Sequence, residues 1–118
     1  MLSSEHDEQV ALIRWAELSG IPELQLLFAI PNGGQRHPAV ARKLRDEGLK
    51  PGVPDLCLPV ARGNYHGLFI EMKVGKNKPT ANQAQWISEL RRQGYRVDVC
   101  YGYDEAMVMI ENYLKEGR

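Results

Sequence analysis

The chain reads as a single mixed α/β domain, a small sheet flanked by helices in the order α-β-α-β-β-α-β-α. Three observations predict this class. Along the 118 residues, stretches with helical spacing of apolar residues alternate with short apolar runs bounded by Gly and Pro. Two of those runs, 55–60 and 67–74, are separated only by the loop from Ala61 to His66, which suits a hairpin. The next run, 95–101, comes after a helical crossover, which favours parallel pairing.

Each element has its own signal. Residues 6–19 carry Val10, Ile13 and Ala16, with Leu12 and Trp15, at helical spacing; Gly20 ends that helix and Pro22 is expected to stop it resuming. Leu26-Leu27-Phe28-Ala29-Ile30 reads as a strand and Pro31-Asn32-Gly33-Gly34 as a turn. A helix over about 37–47 follows, with Pro38 in its first turn, Val40 and Leu44 one turn apart, and Gly48 past its end. The strands at 55–60 and 67–74 flank Gly63-Asn64, and Lys76-Asn77-Lys78-Pro79 is a basic loop. Thr80 opens a helix that runs to about Gln93; in it Trp86, Ile87 and Leu90 fit a core face better than a base-stacking platform. Tyr95 to Tyr101 alternates as a strand, and a last helix from about Asp104 to Leu114 packs Ala106, Met109, Ile110 and Tyr113. No repeat, low-complexity tract or linker divides 1–118.

Composition narrows the function classes. A hydrophobic content of 43% and a charged content of 25% are ordinary for a globular domain large enough to bury a core. No apolar run approaches the ~20 residues that span a bilayer, and the polar, acidic N-terminus does not read as a secretion signal. Cys57 and Cys100 lie inside apolar runs and are expected to be buried free thiols in a reducing compartment rather than a disulfide or a metal pair. His6, His37 and His66 are scattered, without zinc-site spacing. The net charge of +0 hides an asymmetry. From Asn32 to Arg96 there are 12 Lys/Arg against 5 Asp/Glu, a net of +7, whereas residues 1–31 carry −4 and 97–118 carry −3. A basic middle would attract phosphates.

The chemistry concentrates in two segments. Gly52-Val53-Pro54-Asp55 enters one strand, and Glu71-Met72-Lys73 ends the next, sixteen positions beyond the aspartate. Alternation puts Glu71 and Lys73 on one face and Leu68, Ile70 and Met72 on the other. Pro54 cannot donate to a ladder, so Asp55 sits at a strand entrance, where it either caps turn amides or points into a cleft. Glu-x-Lys alone is equally a solvent-facing pattern. Together, two carboxylates and a lysine suit a divalent cation that activates water against a phosphodiester, with the lysine adding positive charge where negative charge develops.

The combination resembles the PD-(D/E)xK nuclease superfamily, with its restriction-endonuclease-like mixed sheet. With Ile30-Pro31-Asn32-Gly33-Gly34 and Asn82-Gln83-Ala84-Gln85-Trp86 added, it looks like the VRR-NUC family, and within it the small stand-alone phage-type members. The likeness covers about Glu5 to Ala106. It implies a DNA endonuclease in which Asp55, Glu71 and the Met72 carbonyl hold Mg²⁺ or Mn²⁺, Lys73 is the catalytic lysine and Gln83 the motif glutamine. Thr80 and Gln83 also fit a capping box, so a structural reading of Gln83 stands beside the catalytic one. A helix-1 glutamate is implied too: Glu5, paired with Gln9 one turn on, is favoured over Glu8, and both also suit a helix N-terminus. The resemblance further implies a homodimer acting on branched DNA such as four-way junctions in the cytoplasm of a bacterium or phage-infected host, with no small-molecule cofactor involved. A nuclease-like DNA-binding module, or an accessory nicking enzyme in a phage replication or packaging complex, is the alternative. Asn32, Gly33 and Gly34 suit either a close DNA approach or a tight turn, and Arg36, Arg42, Lys43, Lys76 and Lys78 are candidate phosphate contacts.

Overall fold

A computed structural model describes residues 4–31 and 37–117. Its elements are α1 (Glu5–Leu18), a 3-10 turn (Pro22–Leu26), β1 (Phe28–Ala29), α2 (Pro38–Asp46), β2 (Leu56–Leu58), β3 (Leu68–Lys73), α3 (Ala81–Arg92), β4 (Arg96–Tyr101) and α4 (Tyr103–Lys115). The four strands form one sheet in the order β1-β2-β3-β4. β2 pairs antiparallel with both β1 and β3, while β3 and β4 run parallel, as the hairpin and the helical crossover require.

Two expectations need correcting. Pro22 does not merely stop α1. Its fixed φ and missing N–H suit a first helical turn, and it opens the 3-10 turn, which buried Leu24 anchors. Leu26 therefore belongs to that turn, and β1 shrinks to Phe28–Ala29. Trp86, expected in the core, is only half-buried and stands outside it; Ile87 is the α3 side chain that is buried.

The sheet has two unlike faces. On the first, Leu56, Leu58, Leu68, Ile70, Met72 and Cys100 pack against Leu12 and Ala16 of α1 and Ala106, Ile110 and Tyr113 of α4. On the second, Cys57 and Val97 are buried, and α3 covers part of the surface by packing against β4 through Ile87. Cys57 and Cys100 are free and point to opposite faces, so they cannot pair. Burial pushes both thiols up, that of Cys100 to about 12 with help from Asp98 and Glu105. Asp55, Glu71 and Lys73 belong to the second face.

Candidate active site

The site forms where β2 begins and β3 ends. The Asp55 carbonyl accepts from Ile30 N–H at 2.7 Å, which ties the strand entrance to β1. The Asp55 side chain turns the other way, and its Oδ2 accepts from Met72 N–H at 2.7 Å. The register explains why that amide is free. Leu56 lies opposite Ile70, so two further places along, Pro54 would face Met72. A residue in a strand directs its N–H and C=O to the same edge, so the Met72 carbonyl also points toward this entrance. Proline has no N–H to give it. Pro54 thus breaks the ladder where a carboxylate and a backbone carbonyl come together.

Gly52 holds the entrance against α3. Its φ is +91°, and a Cβ there would lie 2.9 Å from the Asn82 backbone. Only glycine permits both the left-handed conformation and that approach. The first turn of α3 is thereby set beside the segment that delivers Asp55.

Glu71 and Lys73 end β3 on the same face. Glu71 is 1% exposed and Lys73 7% exposed, not the solvated pattern that Glu-x-Lys can signal. Lys73 Nζ lies 3.5 Å from Glu71 Oε2, while Glu71 Oε1 is buried with no hydrogen-bond partner among the described residues. Burial, followed by the nearby Asp55 charge, pushes the Glu71 carboxyl up to about 8 against the pull of Lys73. Burial also raises Asp55, with the Met72 N–H opposing it. Register places Asp55 opposite Glu71 across the two strands, so a single proton on one carboxyl would relieve the repulsion between them. A pair of this kind is satisfied either by that proton or by a cation that replaces it. Two carboxylates, one of them with a bare oxygen, and the Met72 carbonyl on the same strand edge make a hard donor set that fits a divalent ion of the magnesium type, with water completing the shell. Among the described residues, no third His, Cys, Asp or Glu joins them in a cluster.

This pairing of Pro54-Asp55 with Glu71-x-Lys73 on adjacent strands can be set beside known proteins. The VRR-NUC domain pattern matches residues 3–104. The chain belongs to the VRR-NUC domain family. A solved structure titled "VRR_NUC domain protein" superposes with a TM-score of 0.85 at 31% identity, covering 99% of this chain and 93% of that one. Fanconi-associated nuclease 1 of Danio rerio is 29% identical over 100 residues, 84% of this chain but only 10% of the relative, so the chain spans a small part of that protein's length.

Within this VRR-NUC fold the other expected residues fall into distinct settings. Gln83 Oε1 accepts from Thr80 N–H at 2.9 Å and Thr80 Oγ1 accepts from Gln83 N–H at 3.2 Å, so the capping box is formed. The Gln83 side-chain amide nitrogen makes no hydrogen bond among the described residues. Glu5 is the first residue of α1, half-buried, behind the Ser4 cap. Glu8 is committed elsewhere: its Oε1 accepts from Tyr103 N–H at 2.8 Å and lies 3.0 Å from where a Cβ on Gly102 would be. α4 starts after a glycine with no side-chain cap, so the α1 carboxylate supplies one across the molecule. That bare helix start was the available sequence signal for Glu8. Lys76 and Lys78 are exposed in the loop after β3, and Arg42 and Lys43 are exposed on α2. Asn32, Gly33, Gly34 and Arg36 lie outside the described residues.

Proposed function

We propose that this VRR-NUC domain is a Mg²⁺- or Mn²⁺-dependent DNA endonuclease that selects branched substrates. The observation that carries the reading is the buried Glu71 oxygen without a hydrogen-bond partner among the described residues, on a side chain opposite Asp55 in register and beside Lys73. A carboxylate buried beside another is costly unless a cation completes it. Asp55, Glu71 and the Met72 carbonyl would hold the ion, which when bound polarises the scissile phosphate and lowers the pKa of an attached water.

The chain's own groups do the rest. Met72 N–H fixes the Asp55 carboxylate at the strand entrance. Lys73 places positive charge where the attacked phosphate gains negative charge. Gln83 caps α3 through its oxygen and has its amide nitrogen left for the attacking water or a phosphate oxygen. Glu5 takes the helix-1 acidic position, since Glu8 is engaged at α4. Lys76 and Lys78 contact flanking phosphates. A small domain has little surface for reading a long sequence, so recognition of DNA shape fits better. A twofold homodimer would bring two such sites to a four-way junction.

Cleavage of a four-way junction and of linear duplex, each with Mg²⁺, Mn²⁺ or EDTA, tests this. Junction cutting that requires the cation is expected. Equal cutting of both substrates removes the structural selectivity, and cutting in EDTA removes the metal.

A further inference from the structure

The catalytic face is wider than its charged residues. Side chains directly opposite in a sheet share a face, and along a strand the face repeats every second residue. Lys73 is in register with Tyr101, so Tyr101 stands on the catalytic face one strand away, about 5 Å between backbones. Phe28 is in register with Cys57, two residues beyond Asp55 on the same face, roughly 8 Å from Asp55 along the diagonal. These two rings are unlike the other aromatic residues. Tyr101 is 39% exposed and Phe28 48% exposed, on the outer strands β4 and β1. The rings therefore bracket Asp55, Glu71 and Lys73 at opposite corners of one surface, roughly 20 Å apart by strand spacing, too far to grip a single nucleotide.

An exposed aromatic ring on each side of a phosphate-cleaving centre has a specific use. It offers a flat apolar surface to a nucleobase, which a base can occupy only when it leaves its neighbours in the stack. The basic loop with Lys76 and Lys78 follows directly from Lys73 and supplies charge for the backbone between them. We infer that Tyr101 and Phe28 are base-stacking residues, so that the strand being cut crosses this face with unstacked bases on both sides of the scissile phosphate. This rests on the nuclease reading above and adds to it the state of the substrate: unpaired or frayed nucleotides at the cut rather than intact duplex.

A protein–DNA cycle tests the inference. Binding of a junction or single-stranded oligonucleotide is measured by anisotropy in the Asp55→Asn background, which blocks cutting while Asn can still accept from Met72 N–H. Abasic nucleotides are walked one at a time through the positions around the cut. Loss of one base should weaken binding about 10-fold at one position on each side. Tyr101→Leu should abolish that sensitivity at one position and Phe28→Leu at the other, with Tyr101→Phe behaving like the parent. Both residues are well exposed, and either variant alone carries the test. An abasic penalty unchanged by both leucine variants overturns the inference. So does a loss of self-association in those variants with base sensitivity intact, which would make the rings a protein interface. If the unmodified protein cuts no DNA with any divalent cation, the nuclease reading fails separately, because this comparison reads binding alone.

Discussion

Met72 and Glu71 are neighbours on β3, each 1% exposed, and burial has opposite consequences for them. Met72 enters the apolar face, where Leu12, Leu56, Ile110 and Tyr113 belong to the same core, and its removal from water stabilises the fold. Glu71 enters the other face, where it lies opposite Asp55 and beside Lys73, and one oxygen finds no donor among the described residues. There burial holds a carboxyl neutral that water would ionise. One strand thus carries three core side chains, Leu68, Ile70 and Met72, and a buried carboxylate oxygen that has no hydrogen-bond partner among the described residues. A costly polar site is tolerated because the core on the other face of the same strand stabilises the domain.

Substitutions on the two faces should separate these roles. The largest effect is expected from Lys73→Ala and Glu71→Gln. Each should lower the cleavage rate by ~100- to 1000-fold or more while the fold survives, measured by single-turnover cutting alongside circular dichroism. Retained cutting in both would contradict the assignment. On the opposite face Met72→Ala should cost ~2–5 kcal/mol in denaturant unfolding, with any fall in cutting explained by unfolded protein.

The same contrast appears in pH dependence. Glu71 is raised to about 8 in the fold from 4.5, so between those values the folded chain holds a proton that the unfolded chain has released. Stability from this group is therefore present below about pH 4.5 and lost as pH rises through about 8. Asp55, also raised, acts in the same direction. Without added metal the Tm should fall across this window, and Glu71→Gln should flatten the fall; a parallel decline in both would contradict it. The smallest effect is expected at Glu8. Glu8→Ala should cost ~1 kcal/mol by uncapping α4, with cleavage per folded molecule nearly unchanged. A selective loss of activity would instead return Glu8 to the catalytic group.

Much of this was legible in the residues because it depends on local rules. Period-2 alternation in Leu68–Lys73, the short loop before it and the crossover after it determine the pairing of β2, β3 and β4. Pro54 before Asp55 marked the strand entrance, and Thr80 with Gln83 marked the cap. The hidden parts depend on distant partners. Pro22 looked like a stop because the sequence does not show that Leu24 would be buried to anchor a 3-10 turn. Trp86 looked like core because helical spacing does not reveal how little of α3 the sheet reaches. Glu8 and Tyr103 are far apart in the chain, and only the bare Gly102 hinted that α4 needed a cap from outside. Tyr101 read as an ordinary strand residue until the register placed it beside Lys73.

The central claim is that the catalytic face keeps a proton where a cation belongs. Calorimetric titration of the metal-free protein with Mn²⁺ at pH 7, in two buffers of different ionisation enthalpy, measures this directly. About one proton should be released per ion bound by the parent protein, and close to none by Glu71→Gln, which should also bind more weakly. Binding without proton release, or release unchanged by Glu71→Gln, would contradict the claim.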